Sequence, residues 1–98
     1  MKIVSIKILK EFWADHPDSE QHLKAWVDEV KQAKWQQPAD IKDKYRSASI
    51  FRRIVFNIKG NDYRLIVSVA CRFGAVYIKF IGSHKQYDTV DAETIELE

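Results

Sequence analysis

The chain has 98 residues, of which 46% are hydrophobic and 31% charged, a balance typical of a single globular domain with a modest core. No apolar run approaches the roughly 20 residues that a membrane-spanning helix needs. Residues 1–7 lack the uninterrupted apolar core of a signal peptide, so we expect a cytoplasmic protein of one domain, residues 1–98, with no membrane association.

The net charge of +2 hides an uneven distribution of charge along the chain. Residues 47–85 carry seven Lys or Arg side chains and one acid, Asp62, whereas residues 86–98 carry five acids and no base. A basic segment of this strength in a nearly neutral protein suggests a polyanionic ligand, of which RNA and DNA are the commonest. Composition leaves open the alternative that these cations only solvate the outer face of a sheet.

The first third of the chain is predicted to form a short strand followed by a helical hairpin. Residues 2–5 are a strand candidate, and from Ile6 the apolar residues recur at helical spacing until Pro17 ends the first helix. Asp18 and Ser19 then supply an N-cap for a second helix.

The second helix should run to about Trp35, since its apolar positions keep the helical period that far. Pro38 breaks this pattern, and residues 39–46 could form one or two further helical turns. We expect Tyr45 to anchor this connection on the core.

From residue 50 onward the hydrophobic period changes to two, which is typical of strands. We predict three strands at about 51–59, 62–72 and 75–83. Tight two-residue hairpins should join them at Gly60-Asn61 and at Phe73-Gly74.

This register separates an apolar face from a basic one. The apolar face collects Ile54, Phe56, Ile58, Leu65, Val67, Val69, Val76, Ile78 and Phe80. The other face collects Arg53, Asn57, Arg64, Ser68, Tyr77, Lys79 and Ser83, with Asn57 opposite Arg64, Ser68 opposite Lys79, and Arg64 opposite Ser83. We therefore predict an α+β domain, in which the helical hairpin packs on a small, mostly antiparallel sheet and the other sheet face forms a basic groove.

The last predicted strand leads directly into His84, Lys85 and Tyr87. A proton carrier, a cation and a phenol at the end of a rigid strand are the parts of a phosphate-chemistry site. RNA supplies its own nucleophile, the 2′-hydroxyl, so the protein has only to orient it, move a proton and neutralise charge on the phosphate. The basic segment offers neither a metal-ligand cluster nor a glycine-rich phosphate loop, so we expect no metal and no other cofactor.

The chain from Tyr45 to Asp88 resembles the HigB family of type II toxins, within the RelE superfamily. The likeness rests on the stretches V-F-N-I-K-G-N-D-Y-R-L-I-V, residues 55–67, and G-S-H-K-Q-Y-D, residues 82–88, and the predicted helical hairpin also fits. The resemblance implies a RelE-like fold and a ribosome-dependent, metal-free endonuclease that cuts mRNA in the ribosomal A site. It also implies a cognate HigA-like antitoxin with a helix-turn-helix.

The same resemblance implies roles for individual residues. Arg64 matches a phosphate-binding arginine, and His84 matches a histidine that is a candidate general acid or base. Tyr87 matches an aromatic residue that stacks on or orients the substrate base, and Lys79 matches a basic position on the last strand. Further RNA contacts are expected from Arg53, Asn57, Lys59 and Lys85.

Alternatives remain open at this point. Arg64 could be a solvated partner of Asp62, Tyr87 could anchor the final segment on the core, and His84 could be a structural histidine. One branch of the superfamily poisons gyrase without cleaving RNA, so the protein could instead be a non-catalytic RNA-binding module or an inhibitor of another host machine. The acidic end of the chain is expected to take no part in catalysis.

Overall fold

The computed structural model describes residues 1–50 and 53–90 and confirms the predicted α+β class. Its helices are α1 (Ile6–Asp15), α2 (Glu20–Gln32), α3 (Pro38–Lys44) and α4 (His84–Tyr87), with short 3₁₀ turns at Pro17–Ser19 and Cys71–Phe73. Its strands are β1 (Lys2–Val4), β2 (Ser49–Ile50), β3 (Ile54–Ile58), β4 (Tyr63–Ala70) and β5 (Ala75–Ser83). Most of the acidic end of the chain, residues 91–98, lies outside the described residues.

The strands form one five-stranded sheet in the order β1-β5-β4-β3-β2. Three of its pairings are antiparallel: β3 with β4 and β4 with β5, as predicted, and β2 with β3, which was not predicted. By contrast, β1 lies parallel to β5, with Ile3 opposite Val76. A parallel pair cannot be closed by a tight turn, and here the helices and the other strands make the connection. The first strand of the chain therefore supports the strand that leads into α4.

The helical hairpin covers one face of the sheet. In α2 the buried residues Leu23, Trp26, Val27 and Val30 recur at helical spacing and form one apolar stripe. The ring of Phe56 in β3 meets Trp26 edge-on at 5.4 Å and Tyr45 at 4.9 Å, so Tyr45 anchors its connection on the core as predicted.

The second helix differs from the prediction at both ends. Ser19 is fully buried and its hydroxyl donates to the carbonyl of His16 at 2.7 Å, so it does not cap the helix through its side chain. At the other end α2 stops at Gln32, because Ala33 is extended and the chain turns to bury Trp35. Burial of a large aromatic side chain contributes more to the free energy of folding than three further residues of helix would.

The β3–β4 hairpin keeps the predicted register with a longer loop. Ile58 pairs with Tyr63, so residues 59–62 form a four-residue loop in place of the predicted two-residue one. Lengthening a loop by one residue on each side leaves the pairing unchanged, and Asn57 lies opposite Arg64 as predicted.

The register between β4 and β5 was predicted wrongly. The 3₁₀ turn after β4 makes Ala70 pair with Ala75, and a β-bulge then adds Lys79 to β5 between the partners of Val67 and Ile66. As a result Ser68 lies opposite Tyr77, not Lys79, and Arg64 lies opposite Gly82, not Ser83.

The bulge also inverts the faces of β5 beyond it. Phe80 pairs with Ile66 on the outer face of the sheet, whereas Ile81 packs against the core, so the prediction that Phe80 belongs to the core layer is wrong. Val55, Ile66 and Phe80 form an apolar row across the outer face. This row lies between the Asn57–Arg64–Gly82 row and the Ser68–Tyr77 pair, so the basic groove is interrupted by apolar side chains.

Candidate functional site

The last turn of described helix, α4, follows directly from the sequence at the end of β5. Ser83 is the N-cap. Its hydroxyl accepts a hydrogen bond from the backbone N–H of Gln86 at 3.2 Å, and the side-chain oxygen of Gln86 accepts one from the backbone N–H of Ser83 at 2.8 Å. This capping box stabilises a helix start that is only one turn long. The strand therefore continues through Gly82, and His84 begins a helix instead of extending a strand end.

The fold brings Arg64 onto α4. Arg64 is half-buried on β4, opposite Gly82, and its guanidinium carbon lies 5.7 Å from the centre of the Tyr87 ring. Its Nη1 donates to the carbonyl of Asn61 at 3.0 Å and of Tyr63 at 3.4 Å. Within residues 1–50 and 53–90 these hydrogen bonds use Nη1, and the guanidinium, which carries five N–H bonds, has further donors to offer a ligand.

The His84 imidazole is exposed at the start of α4. Its Nε2 lies 3.9 Å from a carboxylate oxygen of Asp88, an ion pair whenever the imidazole is protonated. The backbone amide of His84 donates to the carbonyl of Asp62 at 3.0 Å, which ties α4 to the β3–β4 loop. Lys85 is exposed on the same turn. Arg64, His84 and Tyr87 are thus held together by β4, β5 and the loop at residues 59–62.

The other predicted site residues lie further away or have structural partners. The Lys79 ammonium is 6.0 Å from the Tyr77 ring, and the Asn57 amide donates to the carbonyl of Ser47 at 3.3 Å. Arg53 lies just before β3, at the end of the sheet where Ser68 and Tyr77 pair.

Lys59 occupies a special position in the β3–β4 loop. It adopts a left-handed backbone with φ of 53°, and its ammonium lies 2.9 Å from Asp18 and 3.3 Å from Asp62. Hydrogen bonds to these two carboxylates raise the pKa of Lys59 above its ordinary value.

Asp18 joins the helical hairpin to this loop, a contact that the sequence analysis missed. Its carboxylate accepts from Tyr63 at 2.7 Å and from Lys59 at 2.9 Å, and these hydrogen bonds lower the pKa of Asp18. The hydrogen bond to Asp18 raises the pKa of Tyr63 above its ordinary value. Lys59 and Tyr63 lie 41 and 45 residues from Asp18, so no local sequence pattern predicts this contact. The capping box at residues 83–86 does have a local pattern, S-x-x-Q, and could have been predicted from the sequence.

Residues 1–50 and 53–90 show neither a metal-ligand cluster nor a membrane-spanning helix. Within those ranges no three His, Cys, Asp or Glu side chains cluster as metal ligands would. The same residues include no helix with the length and apolar character needed to cross a membrane.

The arrangement can act on a phosphodiester. A guanidinium neutralises phosphate charge and an imidazole can accept and release a proton, so the pair can serve charge stabilisation and proton transfer. A helical hairpin packed behind a mixed sheet is consistent with the RelE-like fold of this class of toxins.

Comparison with known proteins agrees with that class. Residues 19–90 match the family model described as HigB toxin, the RelE-like toxic component of a toxin-antitoxin system. The chain belongs to this family of HigB toxins.

Curated relatives match over nearly the whole chain. The chain is 26% identical over 92 residues to the mRNA interferase toxin HigB of Escherichia coli K12. It is equally similar to the mRNA interferase HigB of Shigella flexneri, and in both cases the match covers 90% of this chain and 88% of the relative.

Proposed function

We propose that this toxin is a ribosome-dependent endoribonuclease that cleaves mRNA in the cytoplasm and thereby inhibits translation. The observation that carries the proposal is the Arg64 guanidinium held over Tyr87 beside the turn that presents His84. The printed names of the curated relatives, mRNA interferases, support RNA as the substrate.

The reaction uses the RNA 2′-hydroxyl as nucleophile. This oxygen attacks the adjacent phosphorus while the bond to the 5′-oxygen of the next nucleotide breaks, which leaves a 2′,3′-cyclic phosphate and a 5′-hydroxyl. His84 takes the proton from the nucleophile or delivers one to the leaving oxygen, water carries the other proton, and Arg64 stabilises the charge on the phosphate oxygens. No step in this scheme uses a metal or another cofactor.

Tyr87 is proposed to have two roles, one in positioning Arg64 and one in binding a base of the RNA. Its ring already holds the Arg64 guanidinium on one side, and its half-buried position leaves part of the ring for stacking on a base. Lys79 is proposed to contribute positive charge along the same sheet face. The proposed RNA-binding residues are Arg53, Asn57, Lys59 and Lys85.

An exposed site explains why the ribosome should be needed. More than half of the surface of the His84 side chain is accessible, 55%, so the protein by itself encloses little of a flexible RNA strand. The ribosome holds the mRNA in place and so supplies the orientation that the open site lacks. Correct orientation lowers the activation barrier by several kcal/mol, about 7 or more in well-aligned cases.

The partner of this toxin within its system is proposed to be a HigA-like antitoxin with a helix-turn-helix. Membership of the HigB family supports an antitoxin of some kind. Co-expression of the chain with the product of the neighbouring open reading frame, followed by co-purification and growth measurements, tests the pairing. Normal growth with the toxin alone at verified soluble expression would contradict toxicity.

The activity is tested with purified toxin and a defined mRNA, with and without ribosomes carrying that mRNA in the A site. We expect cleavage only on ribosomes, with a cyclic phosphate at the new 3′ end. Arrest of translation without any cut would favour a non-catalytic inhibitor. Inhibition of supercoiling by purified gyrase would favour that target instead.

A further inference from the structure

Asp18 binds two side chains of the β3–β4 region from the helical side of the sheet. One carboxylate oxygen accepts from the Tyr63 hydroxyl at 2.7 Å, and the other lies 2.9 Å from the Lys59 ammonium. Lys59 in turn lies 3.3 Å from Asp62, and its carbonyl accepts from the Asp62 amide at 3.2 Å. A single carboxylate therefore braces both ends of the loop at residues 59–62.

The braced loop makes direct hydrogen bonds to the candidate site. The Asn61 carbonyl accepts from the Arg64 guanidinium at 3.0 Å, and the Asp62 carbonyl accepts from the His84 amide at 3.0 Å. The two residues proposed for the chemistry are thus tied to adjacent carbonyls of one loop. A shift of this loop moves both of them.

The turn that carries Asp18 is itself firmly held. The neighbouring Ser19 is fully buried and bonded to His16, whose ring stacks on Phe12 at 4.1 Å and meets the edge of Tyr63 at 5.7 Å. Asp18 therefore projects from a fixed point of the helical layer towards the loop.

We propose that Asp18 is a positioning residue for the candidate site and acts through Lys59 and Tyr63. It does not touch the substrate, because Tyr63 faces the helical layer and the next residue, Arg64, faces the opposite side of the sheet. The inference deepens the proposed function and rests on it for its kinetic consequence. The hydrogen bonds that couple Asp18 to the site are present whichever reaction the site catalyses.

A double-mutant cycle with ribosome-bound mRNA tests the kinetic consequence. Asp18→Asn should lower kcat by about 10-fold or more and change KM by less than about threefold, because misplacement of catalytic groups costs up to ~10²-fold. In an Arg64→Ala background the same substitution should cost clearly less than in wild type, because only the displacement of His84 then remains. Equal losses in both backgrounds would overturn the proposal, since a merely structural role acts independently of Arg64.

The matched control is Glu20→Gln. Glu20 is a neighbouring acid whose ion pair with Lys24, at 2.6 Å, stays within α2, so its loss should leave kcat unchanged. If Asp18→Asn does not fold, Tyr63→Phe removes only one of the two bonds to Asp18 and should show the same dependence on Arg64. An effect of Tyr63→Phe that is equal with and without Arg64 would again count against the proposal.

Nuclear magnetic resonance separates this inference from the proposed function. In the free protein Asp18→Asn should shift the His84 amide and the Arg64 side-chain resonances, and Glu20→Gln should not. If these shifts appear and the wild-type protein cuts no RNA, the proposed function fails and the positioning role stands. If wild type cuts RNA and the resonances stay in place, the positioning role fails.

Discussion

The guanidinium of Arg64 lies 5.7 Å from the centre of the Tyr87 ring, and this contact joins the middle strand of the sheet to the last turn of described helix. A cation over an aromatic face contributes about 0.5–1 kcal/mol when exposed and about 2 kcal/mol when desolvated, and this half-buried pair lies between the two cases. That is small for stability, yet it orients an arginine whose guanidinium and the His84 backbone amide are bonded to adjacent carbonyls of one loop, those of Asn61 and Asp62.

The Tyr87 ring is therefore expected to matter more than its hydroxyl. Tyr87→Phe keeps the ring under the guanidinium and should cleave ribosome-bound mRNA within about threefold of wild type, whereas Tyr87→Ala should lose about 10-fold or more. Single-turnover cleavage of both variants checks this. If the two lose activity equally, the hydroxyl acts on the substrate and the ring-based role is wrong.

His84→Ala should lower the rate of cleavage by roughly 10²–10⁴-fold, the usual contribution of a general acid or base. Association with ribosomes should hardly change, because the imidazole is one exposed group among several cations. His22→Ala is the matched control, since His22 is an exposed histidine on α2. Wild-type single-turnover rates for His84→Ala would show that the proton is carried elsewhere.

Gly82→Ala should disturb the site from within the sheet. An added methyl group would lie 2.5 Å from the tip of the Phe80 ring and 2.9 Å from the Gln86 oxygen that completes the capping box. Overpacking of this kind costs about 1–3 kcal/mol, and here it also displaces the residues beside Arg64.

The control for this substitution is Gly74→Ala. Gly74 has φ of 64° with nothing within 4 Å of an added methyl group, so the change strains the backbone at a turn far along β5 from α4. Urea unfolding and cleavage assays should show a loss of stability for both variants and a loss of cleavage for Gly82→Ala alone. Retained cleavage by Gly82→Ala would mean that the capping box tolerates the shift.

The Asp18 contacts predict how stability depends on pH. The folded-state pKa of Asp18 lies below its ordinary value of 3.8, so its contribution is present above that value and is lost as pH falls through the lower folded pKa. The folded pKa of Lys59 is raised above 10.5, so its contribution is fully present below 10.5 and is lost at higher pH. Both contributions are therefore complete in the neutral range.

Thermal unfolding of wild type and Asp18→Asn across pH checks this expectation. The difference in Tm should be constant between about pH 5 and 8 and should shrink below about pH 4, where the wild-type carboxylate also loses its charge. Glu20→Gln serves again as the control, for an exposed pair within one helix. A difference that persists unchanged into strong acid would show that Asp18→Asn acts through packing instead of charge.

The local elements and part of the site could be predicted from the sequence. Helical and alternating periods mark α1, α2 and the three long strands, because each period is a property of neighbouring residues. His84, Lys85 and Tyr87 stand together for the same reason, within four positions of one another. The pairing of Asn57 with Arg64 was also predictable, since a hairpin loop extended equally on both sides preserves the register.

Only the tertiary structure decided the rest. The bulge at Lys79 sets the face of Phe80 and the partner of Arg64, and it depends on how β5 packs between β4 and β1. The contact of Asp18 with Lys59 and Tyr63 spans more than 40 residues. Such contacts form only when the hairpin and the sheet have docked, because their loop-closure entropy is offset by the burial of the whole core and not by any local pattern.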